Sequence, residues 1–477
     1  MIIGRKSELA SLERAFNSRE AQFITVYGRR RVGKTFLIRT FFKSRECIFF
    51  HVTGLQEGSM REQLDNFASE LSKVFNKGNP IRTPTSWREA FEMLNKYLVA
   101  SNERVVLFFD ELPWMATPRS GLMQKIDYNW NNQWAWMPHI IFIACGSSAS
   151  WLLTNIIHHK GGFHNRTTLE LRLLPFDLAE SKEYLQNRGI TLSDRHLTTL
   201  YMAVGGIPYY LNYVLAGKSA QENIQLLYFE KNSPLAGEYE KLFKSLFDGS
   251  DAYKEIIFIV SQKREGISRE ELVEAATLST EGGYLSKRLK ELSDAGFIKE
   301  FIPFGKKIGE YYKVIDEFCL FYLRWVKGQG FFPTDYWLTE SQRPAYYAWA
   351  GYAFEAVCVK HYQQIIKALG IRGIDRIGSW RYVPRNSVEK GTQIDLVIDR
   401  HDDTMTLCEI KYSDKPFVID KAYATVIEEK MNIFKERLKT DKQLFFCMIS
   451  ANGLKETEYS KKLISSVVSL EDLFNNS

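Results

Sequence analysis

Residues 22–40 read QFITVYGRRRVGKTFLIRT. The run from Phe23 to Tyr27 is apolar and rich in β-branched and aromatic residues, the composition of a buried strand. Gly28-Arg29-Arg30-Arg31-Val32-Gly33-Lys34-Thr35 follows, and Phe36-Leu37-Ile38 opens a helical pattern. The spacing is G-x-x-x-x-G-K-[ST], set between a strand and a helix as a phosphate-binding loop requires. Glycine permits the tight bend that turns successive backbone N–H groups inward around an anion. The helix N-terminus adds partial positive charge at the same point. In such a loop Lys34 reaches the β- and γ-phosphates of a nucleotide and Thr35 holds Mg2+. ATP with Mg2+ is the expected ligand, cradled by residues Gly28 to Phe36.

On the N-terminal side, Ile2-Ile3-Gly4-Arg5 precedes an amphipathic helix expected from Ser7 to Ser18, with Ser7 as its cap. Gly4 and Arg5 are candidates to touch the adenine, or plain surface residues. On the C-terminal side, Cys47 to Val52 reads as a second buried strand, and Arg61–Val74 and Trp87–Val99 as helices. Arg104-Val105-Val106-Leu107-Phe108-Phe109-Asp110-Glu111 is an apolar run ending in two acids, the Walker B pattern of a strand buried on both faces. It brings Asp110 to the metal and Glu111 to the attacking water as general base. His139 to Cys145 is the next strand. Ser147 and Ser148 beyond it either sense the γ-phosphate or form a simple turn. Thr167 to Leu174 alternates like a strand. Arg166 before it is either a charge-stabilising arginine, for its own chain or a neighbour, or a solvated side chain.

Length and composition bound the rest. The chain has 477 residues, 45% of them hydrophobic and 14% aromatic, which fits a folded protein of about three or four domains. The net charge of +6 is compatible with nucleic acid. The six cysteines are scattered with no C-x-x-C, so buried thiols of a reducing cytoplasm are expected and zinc is not. The start lacks the apolar core of a signal peptide. No stretch reaches the roughly 18 uninterrupted apolar residues of a membrane span. A soluble cytoplasmic protein with no membrane partner is expected.

After the core at residues 1–174, residues 175–245 read as a helical lid. Leu178–Asn187 and Ser193–Val204 are helical, and Gly205-Gly206-Ile207-Pro208 breaks the chain before Tyr209–Leu215, with Pro208 suited to a first helical turn. Residues 246–325 read as a winged helix-turn-helix. Tyr253–Ser261 is a helix, Ser268-Arg269-Glu270-Glu271 is a capping box opening another, and Gly282-Gly283 precede a third, Tyr284–Ala295. Gly296-Phe297-Ile298 starts a strand that Gly305-Lys306-Lys307 turns back into Tyr311–Val314. Lys287, Arg288 and Lys290 lie away from the leucines of the third helix. They meet DNA in one reading and solvent or protein in the other.

Phe318–Val326 is an aromatic helix and residues 328–333 a linker to a last domain, residues 335–477. There Ala348–Tyr362 is a helix carrying Glu355, Gln393–Ile398 a strand and Thr406–Lys411 its return. Asp395 lies on one strand; Glu409 and Lys411 share a face of the other. Two acids that bracket a divalent ion, with a lysine beside them to orient water, suit metal-assisted phosphodiester cleavage. Lys421, Lys430 and Lys435 follow on a helical stretch and either line a nucleic-acid face or are solvated.

Taken in order, IIGRKSEL, GRRRVGKT, FFDEL, CGSS, NRTTLELRLLPF and GGIPYYL resemble the archaeal-type ATPases, on the AAA+/STAND side of the P-loop NTPases. The resemblance implies a parallel sheet with helices on both faces and a helical lid whose Gly-Ile-Pro element packs near the nucleotide, which makes Pro208 a binding candidate. The last domain resembles the PD-(D/E)xK nucleases. Asp395 stands in the Asp position, Glu409-x-Lys411 forms the (D/E)xK, and Glu355 matches the acid of the first helix. Ile394 replaces the usual proline. Such a domain commonly follows the winged helix in this ATPase family. The expected fold is thus α/β and multidomain: a P-loop NTPase sheet with a helical lid, a winged helix and a restriction-endonuclease-like domain. The expected function is an ATP-hydrolysing switch, acting on or binding DNA, with a homo-oligomer among its states. The other expectation is an ATP-dependent signalling or scaffold protein whose nuclease fold is inactive.

Overall fold

In the computed structural model, residues 1–158, 165–276, 283–306, 308–384 and 391–475 are described. Gly282 and Lys307, both invoked from the sequence, lie outside them. The chain divides into two compact units, Met1–Pro175 with Lys290–Ala295, and Phe176–Leu289 with Gly296–Ser477.

The first unit is built on five parallel strands: β1 (Gln22–Tyr27), β2 (Ile48–Thr53), β3 (Val105–Asp110), β4 (Ile140–Gly146) and β5 (Leu169–Arg172). Their order is β2-β3-β4-β1-β5. β3 and β4 are buried at every residue, which is why they read as unbroken apolar runs. Phe142 anchors the core, 4.9 Å from Phe23 and 5.4 Å from Phe109 between ring centroids. β2 departs from expectation. It pairs only with β3, so it is an edge strand, and Ile48, Phe49 and His51 are only half-buried. The first helix also differs. It runs Lys6–Phe16 behind Arg5, whose backbone is left-handed at φ 56°. Ser7 is therefore not the cap but an interior residue, its carbonyl accepting from Ser11 Oγ at 2.9 Å.

The second unit holds helices and three sheets. Helices Leu178–Asn187 and Asp194–Val204 start at side-chain caps, Asp177 and Ser193. The expected helix Tyr209–Leu215 is instead one turn, Pro208–Leu211, opened by Pro208. Gly206 is required before it, because a Cβ there would stand 1.7 Å from the Phe176 carbonyl oxygen. Helices Ser250–Ser261 and Arg269–Ala275, and helix Gly283–Asp294 as far as Leu289, belong to this unit with a three-stranded sheet: β6 (Ile267–Ser268), β7 (Ile298–Phe301) and β8 (Tyr311–Val314), ordered β6-β8-β7 and antiparallel. The capping box at Ser268 and Glu271 is present.

The last sheet contains β9 (Ile374–Tyr382), β10 (Thr392–Arg400) and β11 (Thr404–Lys411) in antiparallel pairing. After the short β12 (Phe417–Val418) come β13 (Gln443–Ser450), β14 (Leu454–Lys455) and β15 (Ser466–Ser469). β13 and β15 extend the sheet in parallel, giving β15-β13-β11-β10-β9, while β12 pairs with β14. Helix Lys421–Leu438 covers one face through Ala424, Ile427 and Phe434, packed with Val397, Leu407 and Phe446.

Residues 175–477, expected as a lid, a winged helix and a last domain, share side-chain contacts across those bounds within the second unit. Trp337 stacks on Phe229 at 5.6 Å, and its backbone N–H donates to Gln225 Oε1 at 2.8 Å. Tyr228 meets Phe321 at 4.7 Å. His361 Nε2 accepts the Leu178 N–H at 3.0 Å. Phe318, Phe321 and Trp337 bury against Tyr210, Tyr228 and Phe229, so the expected linker runs beside one shared core. Among the described residues no helix is long and apolar enough to cross a membrane.

Candidate functional site

The loop after β1 bends at Gly28, where φ is +145° and a Cβ would stand 2.2 Å from the Leu173 carbonyl oxygen. Leu173 N–H donates to the Tyr27 carbonyl at 2.8 Å, continuing the pairing of β5 past its end and bringing its own backbone against the loop. Arg31 and Gly33 are also left-handed, at φ 72° and 94°. Gly33 stands at the cap position of helix Lys34–Lys43. Arg5 braces the loop from outside, its Nη2 donating to the Val32 carbonyl at 3.3 Å. That is a structural role for a residue considered as an adenine contact. Arg29 and Val32 are buried, and Arg30 lies 5.8 Å from the Trp114 ring centroid. The Phe36 side chain is exposed.

Lys34 is buried and folded onto the loop, its Nζ donating to the Gly28 and Arg29 carbonyls at 2.9 and 3.0 Å. Burial pulls its ammonium below the ordinary lysine value, against the opposing pull of Cys145, Glu111 and Asp110. Thr35 Oγ1 donates to Asp110 Oδ2 at 2.7 Å, joining the two motifs across the sheet. Burial would raise Asp110; hydrogen bonds from His51, Thr35 and Cys145 outweigh it and hold the carboxyl below the ordinary value. Glu111 has a left-handed backbone, φ 48°. Its Oε2 accepts both the backbone N–H and the hydroxyl of Ser147 at 2.9 Å. The structure therefore brings Lys34, Thr35, Asp110, Glu111 and Ser147 together. Arg166 is exposed, before β5. Pro208 belongs to the second unit.

His51, which no motif marks, also belongs to this site. Its Nε2 lies 3.6 Å from Asp110 Oδ2 and its ring stacks on Phe108 at 4.7 Å. β2 runs parallel to β3 in a register that pairs Thr53 with Asp110, which sets His51 close to the acid.

The second constellation lies on the last sheet. β10 carries an irregularity between Ile394 and Val397, which spans Asp395. Asp395 Oδ2 accepts the Ile410 backbone N–H at 2.9 Å. Glu409 is buried, and both its oxygens are taken: Oε1 by Lys411 at 2.8 Å and Tyr423 at 2.9 Å, Oε2 by Lys430 at 2.6 Å. Burial would raise its carboxyl, but Lys411 and Lys430 outweigh that and hold it low. Burial and then the charge of Glu409 push Asp395 up. Burial and the charge of Asp395 push Glu355 up to about 7, against Lys313 and Lys411.

Among the described residues no three imidazole, thiolate or carboxylate groups converge to hold a metal. Glu409, expected as a metal ligand with Asp395 and Glu355, is hydrogen-bonded by Lys411, Lys430 and Tyr423. Asp395 and Glu355 remain as a pair of like charges in poor solvent, a donor set whose chemistry suits a divalent cation. Lys430, expected only as a surface cation, is pinned to Glu409. Lys421 and Lys435 on the same helix are exposed, as are Lys287 and Lys290. Arg288 is half-buried, 5.9 Å from the Tyr253 ring centroid.

Residues 2–214 match the family described as an ATPase domain predominantly from Archaea. An uncharacterized protein of Methanocaldococcus jannaschii is 24% identical over 439 residues, covering 87% of this chain and 88% of the relative. An uncharacterized ATP-binding protein of the same organism is 50% identical over 46 residues, 10% of this chain and 78% of that protein. Among solved structures, the Walker-type ATPase of Pyrococcus abyssi is similar at 20% identity with a TM-score of 0.48, covering 68% of this chain and 96% of that one. The ORC2 protein of Aeropyrum pernix, in its ADPNP–ADP complexes, is similar at 14% identity with a TM-score of 0.36, covering 66% of this chain and 90% of that one.

Proposed function

We propose that the chain, whose residues 2–214 carry an ATPase domain of the archaeal type, is an ATP-hydrolysing switch with a nucleic-acid-directed second unit. The observation that carries the first half is the 2.7 Å contact of Thr35 with Asp110. A hydroxyl at the head of the helix and a carboxylate at the strand end are the oxygen donors that Mg2+ takes alongside phosphate. These two residues fit that ion and would hold it; when bound it neutralises charge on the phosphates. Lys34 gives up its bonds to the loop carbonyls for the β- and γ-phosphates, and the N–H groups from Arg29 to Phe36 complete the cradle. Glu111, fixed by Ser147 through Oε2, offers Oε1 to the attacking water as general base. Arg166, exposed before β5, is free to serve its own site or that of a neighbour in a homo-oligomer.

For the second unit, three helices with the sheet β6-β8-β7 support a winged-helix reading, and Asp395, Glu355, Glu409 and Lys411 support a PD-(D/E)xK-like site that meets DNA. Asp395 and Glu355 would hold a divalent cation there. Lys411, tied to Glu409, is placed to orient water. A second reading, a nuclease fold that binds protein and does not cut, is favoured by the saturation of Glu409.

Incubating the full chain with plasmid and single-stranded DNA, Mg2+ or Mn2+, with and without ATP, tests both halves. Lys34→Ala is expected to abolish ATP turnover. Cutting that disappears in Asp395→Ala supports the nuclease reading, and its loss in Lys34→Ala shows that ATP gates it. Cutting that persists in Asp395→Ala, or none from any form, directs the second unit to the protein-binding reading.

A further inference from the structure

A cleft of about 400 Å³ opens beside the last sheet, and the acids Asp395 and Glu355 form part of its lining. Its opposite wall comes from the hairpin β7–β8 and the turn before β6, and there the chemistry changes sign. Lys313 on β8 enters the cleft half-buried, and the exposed side chains of Lys306 and Arg264 stand at its rim. Lys263 and Arg381 also line it, but they are neutralised by ion pairs to Glu271 and Glu265. Two half-buried aromatic residues, Phe301 and Tyr311, lie between these cations, their ring centroids 6.1 Å apart. Tyr352 backs the site, with the Lys313 ammonium 5.6 Å and the Arg264 guanidinium 5.4 Å from its ring centroid. The charges of Glu355 and Asp395 both act on Lys313, so the lysine and the acid pair share one electrostatic site. They come from positions far apart in the chain.

Cations interleaved with aromatic faces are the pattern of a site for unpaired nucleotides: the backbone follows the charge and bases stack on the rings. A cleft of this volume lies near the lower end of the roughly 300–1,000 Å³ range of small-ligand pockets. It admits a nucleotide unit and not two paired backbones. We propose that this cleft binds a single polynucleotide strand, with Lys313, Lys306 and Arg264 on its phosphates and Tyr311 and Phe301 receiving a base, so that one phosphodiester lies before Asp395 and Glu355. The inference rests on the reading of the last sheet as a phosphodiester-cleaving site. It adds the strand state of the substrate and residues from outside that sheet.

The test is fluorescence-anisotropy binding of the full chain in EDTA to labelled oligo-dT, oligo-rU and a hairpin duplex of equal length. Wild type binds a single strand more tightly than the hairpin, and the tighter of dT and rU identifies the sugar. Lys313→Met reduces the slope of log affinity against log salt by about 0.7, one single-strand phosphate contact. Tyr311→Leu weakens binding about tenfold through lost stacking. Lys313→Arg keeps the charge and restores affinity. Should Lys313→Met lower the thermal midpoint, Lys306→Ala at the exposed rim carries the same comparison. Single-strand binding by Lys313→Met equal to wild type, no single-strand binding by wild type, or a hairpin bound as tightly as the strand each overturns the proposal. Because metal is absent, binding that depends on Lys313 without cutting under any condition sinks the cleavage reading and leaves this one standing. Cutting with binding indifferent to Lys313 does the reverse.

Discussion

Replacing Glu355 with Gln should stabilise the protein at pH 8 and leave it unchanged near pH 4. The Glu355 carboxyl stands at about 7 against an ordinary 4.5, raised by burial and then by Asp395. A native-state acid raised in this way binds its proton more tightly folded than unfolded. Stability is therefore fullest below pH 4.5 and is lost as pH rises toward 7. At about 1.4 kcal/mol per pH unit, holding the charge at pH 8 costs up to ~3 kcal/mol, and partial exposure with solvent screening brings this to about 1–2 kcal/mol. Glutamine has nearly the same shape and no charge to hold, so it escapes that loss. For a unit of this size the gain is a thermal midpoint roughly 2–6 °C higher. The assay is unfolding by circular dichroism, wild type beside Glu355→Gln, at a series of pH values from 4 to 8 in EDTA. Midpoints that differ by a constant amount at every pH, or a Gln variant that is less stable at pH 8, would refute the reasoning. Either result would mean that Asp395 and Glu355 are not a strained like-charge pair.

Other expectations follow from buried contacts. His361 is fully buried and neutral, its pKa lowered to about 4 by burial. Its contribution is present above pH 6.5 and lost as pH falls toward 4, roughly 3 kcal/mol in all, which acid titration of urea midpoints will show. His361→Leu should flatten that dependence while costing about 1–3 kcal/mol at pH 7, because the Leu178 N–H loses its acceptor. Gly206→Ala drives a methyl into the Phe176 carbonyl and should destabilise the second unit by on the order of 3 kcal/mol, read in the same unfolding assay. Thr35→Ala removes the hydroxyl bonded to Asp110 and should raise the Mg2+ concentration that half-saturates ATP turnover.

The phosphate loop and the Asp110–Glu111 strand were legible because each is a local pattern: a glycine that a close carbonyl demands, and a strand apolar on both faces. The buried run at β2 misled in one respect, since an apolar hexapeptide does not reveal whether a strand has one neighbour or two. Asp395, Glu409 and Lys411 were also legible from strand periodicity. What holds Glu409 was not, because Tyr423 and Lys430 arrive from a helix whose rotation is set by Ala424, Ile427 and Phe434. The contacts made across the boundary expected near residue 335 were illegible for a similar reason. Gly328 to Pro333 has linker composition, but Trp337 finds its hydrogen-bond partners, Gln221 and Gln225, on a helix more than a hundred residues earlier. Lys313 meets the acids only because the hairpin folds over the last sheet, which no spacing encodes.

At the site built by Lys34, Thr35 and Asp110, Glu111 is expected to activate the attacking water. The most direct test is ATP turnover by Glu111→Gln measured beside ATP affinity. Affinity should be unchanged and turnover reduced by about a hundredfold or more, the usual worth of a positioned general base. Turnover equal to wild type would contradict it.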